Sequence, residues 1–163
     1  MTAAPILWRP VEPQATLEWL ADRARISDLL YSFASALDTK DWQAYADNYA
    51  DGGFIELPDP TSAAGAVFTL RKEHMIELLP KSLGRFRATH HISTNHQIVV
   101  AGEEATSRSY LQAVHVTGEP ADHWIAGGWY DSHYRRLKAG WKFTRVKLHS
   151  VWVSGQITEI RPQ

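Results

Sequence analysis

At 163 residues and a formal net charge of −1, the chain suits one domain with one core, and its Lys and Arg are interleaved with Asp and Glu so evenly that no basic face is left for a phosphate backbone. The absence of cysteine excludes a disulfide framework, a thiolate nucleophile and thiolate metal sites. No basic, apolar leader opens the sequence and no run approaches the roughly 20 apolar residues of a membrane span, so a cytoplasmic protein without nucleic-acid or membrane partners is expected.

Residues 1–15 carry three prolines and read as an extended arm. From Thr16, a plausible N-cap, to Asp38 the apolar positions Leu17, Leu20, Ala24, Leu30 or Ala34 and Leu37 recur at three- to four-residue spacing, which predicts a helix. Asp41 to Tyr49 repeats the pattern with Trp42, Tyr45 and Ala46, and Thr39 or Asp41 could cap it. Phe54 to Leu57 reads as a strand stopped by Pro58 and Pro60. A loop then leads through Val67-Phe68-Thr69-Leu70 into a third helix, about Arg71 to Leu83.

The second half differs in kind. Ala88–Ala101, Ala105–Thr117, His123–Arg136 and Lys142–Val153 are long β-rich runs separated by short turn sequences suited to antiparallel neighbours. Helices first and then a strand meander predict an α+β fold, with helices packed on one side of a strongly curved sheet. The expected organisation is an arm over 1–15, one domain over 16–155 and a tail over 156–163.

Two positions invite chemistry. Asp38 ends the first helix, where the negative end of the macrodipole disfavours a carboxylate, so either the interhelical turn or a cationic partner must compensate it. His91 lies in the run Thr89-His90-His91-Ile92-Ser93-Thr94-Asn95-His96-Gln97, where alternation places His91, Ser93, Asn95 and Gln97 on one face. By the same rule Ser107, Ser109, Leu111, Ala113 and His115 share a face of the next strand, Trp124, Gly128, Tyr130 and Tyr134 one of the strand after, and Arg145, Lys147, His149 and Val151 one of the last. Alternation does not say which face looks inward.

Eight histidines raise the question of metal, but their spacing matches no helical or strand metal motif. A phosphate loop, a nucleophile elbow and a dinucleotide fingerprint are also missing. Any catalysis would therefore rest on side chains, with no cofactor or metal expected. Seven Trp, six Tyr and five Phe suit either a bulky core with a subunit interface or the lining of an apolar ligand cavity.

The segment Leu37-Asp38-Thr39-Lys40-Asp41-Trp42 resembles the end of the first helix in scytalone dehydratase and its relatives, which include hexachlorocyclohexane dehydrochlorinase, bile acid 7α-dehydratase and the SnoaL-like polyketide cyclases of the nuclear transport factor 2-like superfamily. The likeness continues through Thr89-His90-His91, Ala105 to Tyr110, Tyr134-Arg135-Arg136, Trp141-Lys142-Phe143, Lys147 and Trp152, covering about residues 16 to 153. It implies a cone-shaped α+β barrel whose N-terminal helices close a curved sheet, with Asp38 and His91 at the two catalytic positions. In the dehydratase and dehydrochlorinase members the His takes a proton from carbon and the Asp supports it.

The resemblance also implies a pocket drawn from Phe33, Leu57, Ser93, Asn95, Ser109, Gly128, Lys147 and Trp152, and a homo-oligomer, trimer or dimer, assembled through the outer sheet face. The tyrosines of scytalone dehydratase are replaced by Leu37 and Leu57, its second catalytic His falls at Ser109, and its pocket Ser and Asn map to Gly128 and Tyr130, so scytalone is not the expected substrate. Tyr31, Tyr49, Tyr130 and His115 are candidate replacements, and Arg145 and Lys147 could hold an anionic substrate. The expected activity is a cofactor-free elimination or isomerisation of a small, mostly apolar cyclic or aromatic molecule. An aldol cyclase using the same pair, and a binding or assembly domain without catalysis, are the alternatives.

Overall fold

A computed structural model describes residues 16–58, 66–117 and 122–155. The expected arm and tail lie outside the described residues. Helix α1 runs Leu17–Asp38, and Thr16 caps it by accepting a hydrogen bond from the Trp19 amide at 3.1 Å. Its spacing turns Ile26, Leu30, Phe33 and Leu37 into the interior, each at most 4 % exposed. Helix α2, Trp42–Asp47, is capped by the Asp41 carboxylate, which accepts from the Ala44 amide.

Strand β1 spans Tyr49–Pro58, and the expected loop at Val67 is instead strand β2, Val67–Arg71, paired antiparallel with β1. Helix α3 follows at Lys72–Ser82. Strands β3 (Ala88–Ala101), β4 (Glu104–Val116), β5 (His123–Leu137) and β6 (Gly140–Gly155) form the antiparallel meander that the sequence predicts. The six-stranded sheet has the order β2-β1-β6-β5-β4-β3, and β1 runs parallel to β6. The fold is thus α+β, with the helices packed on a mixed, curved and open sheet.

Two features hold α1 to the sheet. Phe33 is ringed by Tyr45, Tyr49, Tyr130 and Phe143 at centroid distances of 4.9, 6.4, 5.4 and 5.5 Å, filling the interior beneath α2. Burying each such side chain contributes about 1.5–3 kcal/mol. Near the other end of α1, Asp22 is only 2 % exposed, yet it accepts hydrogen bonds from both terminal nitrogens of Arg136 at 2.9 and 2.6 Å and from Trp141 Nε1 at 3.1 Å. A buried carboxylate tolerates that position because every donor around it is directed at it.

Bulges decide which side chains face α1. In β3 the register slips between Thr94 and Gln97, and Asn95 takes φ 53°, a left-handed conformation that Asn tolerates better than most residues. The inward set accordingly changes from Thr89, His91 and Ser93 to Ile98 and Val100. In β6 the register slips between the partners of His133 and Tyr134, and again between those of Gly127 and Gly128.

Candidate functional site

The C-terminal end of α1 meets the first turns of β3, and this seam brings Asp38 to His91. His91 Nδ1 lies 2.6 Å from Asp38 Oδ1, and the His91 amide donates to both carboxylate oxygens, at 3.1 and 2.8 Å. Thr89 Oγ1 donates to Asp38 Oδ1 at 3.1 Å. These donors answer the problem posed by a carboxylate at a helix C-terminus. Burial by itself would raise the Asp38 carboxyl, but the His91 ring, the His91 amide and Thr89 outweigh it and hold the group below its ordinary value. An ionised carboxylate only accepts hydrogen bonds, so Nδ1 carries a proton, and in the neutral ring the lone pair is then on Nε2. The His91 side chain is 6 % exposed and the Asp38 side chain 22 %.

His115, in register with Thr89 across the β3–β4 ladder, stands edge-on to His91 with ring centroids 5.5 Å apart. Phe86 and Trp124 pack on its ring at 4.8 and 4.6 Å. Burial first, and then the neighbouring His91, push the His115 imidazole down to about 4, so it is neutral at physiological pH. Its Nδ1 is buried without a hydrogen-bond partner among the described residues.

The other expected site residues divide sharply. Ser93, on the same face as His91, bonds His96 Nε2 at 3.0 Å, and His96 Nδ1 lies 3.1 Å from Ser27 Oγ on α1. Leu57 packs at the edge of the core, and Ser109 is fully buried with no partner for its Oγ among the described residues. Phe33, Tyr49 and Tyr130 are buried in the aromatic interior; the Tyr49 hydroxyl pairs with that of Tyr45 at 3.1 Å, and burial pushes both Tyr49 and Tyr130 well up. Tyr31 is 54 % exposed, its ring against His96 rather than His91.

Asn95 is exposed, because the bulge it creates turns it out of the inward row. Lys147 lies on the outer face in register with Asp131 and Glu56, and Arg145 beside it is paired with Glu56 at 2.7 Å, so neither faces a ligand in the interior. Trp152 is 47 % exposed on the outer face, its indole over Gly127. Gly128 opens no space, since a Cβ there would lie 1.9 Å from the His149 carbonyl oxygen.

Thr89 donates to Asp38, and Phe86 and Trp124 pack on His115, without having been singled out as site residues. The only signal for Thr89 was its place two residues before His91. Among the described residues no three His, Asp or Glu side chains converge as metal ligands would. No helix among them is long and apolar enough to cross a membrane. A groove on the outer face between Val99, Thr106, His133 and Arg135 lies away from the pair.

The model of the SnoaL-like domain matches residues 18–147, a span holding both Asp38 and His91. The chain belongs to the SnoaL-like family. The SnoaL-like domain is similar in structure to the Kfla4162 protein of Kribbella flavida, with 26 % identity and a TM-score of 0.73 over 83 % of this chain and 94 % of that one. It is also similar to a proposed scytalone dehydratase from Novosphingobium aromaticivorans, at 22 % identity and TM-score 0.71 over 86 % and 91 % of the two chains. The hexachlorocyclohexane dehydrochlorinase LinA-type3 of Novosphingobium barchaimii gives 19 % identity and TM-score 0.69 over 86 % and 94 %. These likenesses place the chain in the nuclear transport factor 2-like cone fold. No curated protein matches it significantly.

Proposed function

We propose that this SnoaL-like domain is a lyase or isomerase that removes a proton from carbon in a small, uncharged, mostly apolar cyclic or aromatic molecule, with His91 as the base. The observation that carries this reading is the 2.6 Å contact between His91 Nδ1 and an Asp38 carboxylate held ionised by its donors. The contact fixes the tautomer that leaves Nε2 free to accept a proton, and the carboxylate then stabilises the imidazolium. Abstraction generates negative charge on the substrate, which needs a hydrogen-bond donor. His115 is the donor assigned to that role, a neutral imidazole standing edge-on to His91. In an elimination the same group would assist the leaving oxygen or halide.

Charge supports the choice of substrate. The cations nearest the interior are engaged, Arg136 with Asp22 and Lys40 with two backbone carbonyls, while Arg145 and Lys147 face outward. The names of the structural relatives, a dehydrochlorinase and a proposed scytalone dehydratase, point to the same chemistry. Ile92, Tyr110 and Trp152 expose apolar surface on the outer face, which supports assembly with further copies of the chain there.

The test uses 2-tetralone, a bicyclic aromatic ketone with acidic α-carbon protons, in deuterium oxide. Wild type is expected to speed deuterium uptake over buffer and His91→Ala to abolish the gain. Equal uptake with the two proteins rules out His91 as the base.

A further inference from the structure

Lys40 stands in the left-handed region with φ 58°. It follows the C-cap of α1, where the Asp41 amide donates to Ala36 O at 2.9 Å and the Lys40 amide to Leu37 O at 3.3 Å, the paired bonds that close many helices. Glycine is the usual residue here, because a Cβ disfavours this conformation. What lysine adds is its ammonium. Lys40 Nζ donates to Gly84 O at 3.1 Å and to Phe86 O at 2.7 Å, and the contact is partly buried.

The two carbonyls belong to the link between the end of α3 at Ser82 and the start of β3 at Ala88. One end of the clamp is therefore two residues beyond Asp38, and the other lies shortly before Thr89 and His91, the residues that donate to Asp38. The same segment carries Phe86, whose buried ring packs on His115. A shift of this link would move β3 along α1 and loosen both contacts together. Displacements of about 1 Å are enough to cost orders of magnitude in rate.

We propose that Lys40 is a positioning residue, whose ammonium clamps the Gly84 and Phe86 carbonyls and so sets the Asp38–His91 contact and the seat of His115. The inference rests on the proton-abstraction reading for its effect on rate, but not for its effect on geometry. Left-handed backbone makes it separable from a helix-stop role. Lys40→Gly keeps and eases the stop while removing the clamp, Lys40→Met removes the donors alone, and Lys40→Arg restores a cation with donors.

Two readouts are taken on the full chain: exchange of the His91 Nδ1 proton with water, by NMR of ring-labelled histidine, and kinetics of 2-tetralone deuteration. Lys40→Gly is expected to stay folded, to exchange that proton about tenfold faster, and to lose about tenfold in kcat with little change in KM, as for a group that acts by orientation. Lys40→Met is expected to share the fast exchange and Lys40→Arg to reverse part of it. Wild-type proton exchange in both Lys40→Gly and Lys40→Met would overturn the proposal. If wild type fails to deuterate 2-tetralone, the catalytic reading falls while the proton readout still decides the clamp.

Discussion

Asp38→Asn separates what the carboxylate does for chemistry from what it does for the fold. The charge ends a helix, and neutralising it relieves about 0.3–1 kcal/mol of unfavourable interaction with the macrodipole. Against this, hydrogen bonds to an ionised group contribute about 1.5–3 kcal/mol, and here the His91 ring, the His91 amide and Thr89 all donate to it. An Asn amide can accept on one side only, and its NH2 would face a donor. The net loss is about 1–2 kcal/mol, a fall of roughly 2–8 °C in melting temperature for a domain of this size.

The catalytic loss is expected to be far larger, about 10²–10⁴-fold, since the Nδ1–H tautomer is no longer enforced and the imidazolium loses its counter-charge. Calorimetry and 2-tetralone deuteration on the same samples measure both. The folded Asp38 carboxyl lies below its unfolded value, so its stabilisation is present above about pH 4 and is lost as pH falls through the folded value. Asp38→Asn should remove that part of the acid sensitivity. A variant that melts lower but deuterates at the wild-type rate would refute the role given to the carboxylate.

His115 gives an acid dependence in a different window. Its imidazole is 4 % exposed and pushed down to about 4, whereas the unfolded chain takes up the proton near its ordinary value, so stability falls as pH drops from about 6.5 towards 4. The full effect is about 3 kcal/mol. Burial also lowers His96, His133 and His149, which act in the same direction, so the measurement is the difference in urea midpoints between wild type and His115→Asn at pH 7 and pH 4.5. Trp152→Ser should leave deuteration of 2-tetralone unchanged, because the indole lies on the outer face, and should lower the oligomer mass seen by light scattering.

Much of the layout can be read from the sequence because its signals are local. Thr16 and Asp41 announce the helix starts, and the four long β-rich runs are separated by turns. Strand β2 escapes this reading: Val67 to Leu70 is short and runs straight into a helix, and its only reason to be extended is the pairing with β1. Alternation likewise holds only as far as the first bulge. An extra residue at Asn95 turns the inward row of β3, and extra residues in β6 turn Lys147 and Trp152 outward. The approach of Asp38 to His91 depends on α1 packing against β3, which no local pattern encodes, so it took the likeness to scytalone dehydratase to suggest it. His115 is visible in the sequence as sharing a strand face with Ser107, Ser109 and Ala113, but its lowered basicity comes from burial among Phe86, Trp124 and His91.

The central claim is that Asp38 works through His91, and a double-mutant cycle on 2-tetralone deuteration measures that dependence. Asp38→Asn should slow the wild-type protein strongly yet change nothing once His91→Ala is in place, because no imidazole remains to be supported. Equal slowing by Asp38→Asn in both backgrounds would mean that the two residues act independently, and would contradict the account.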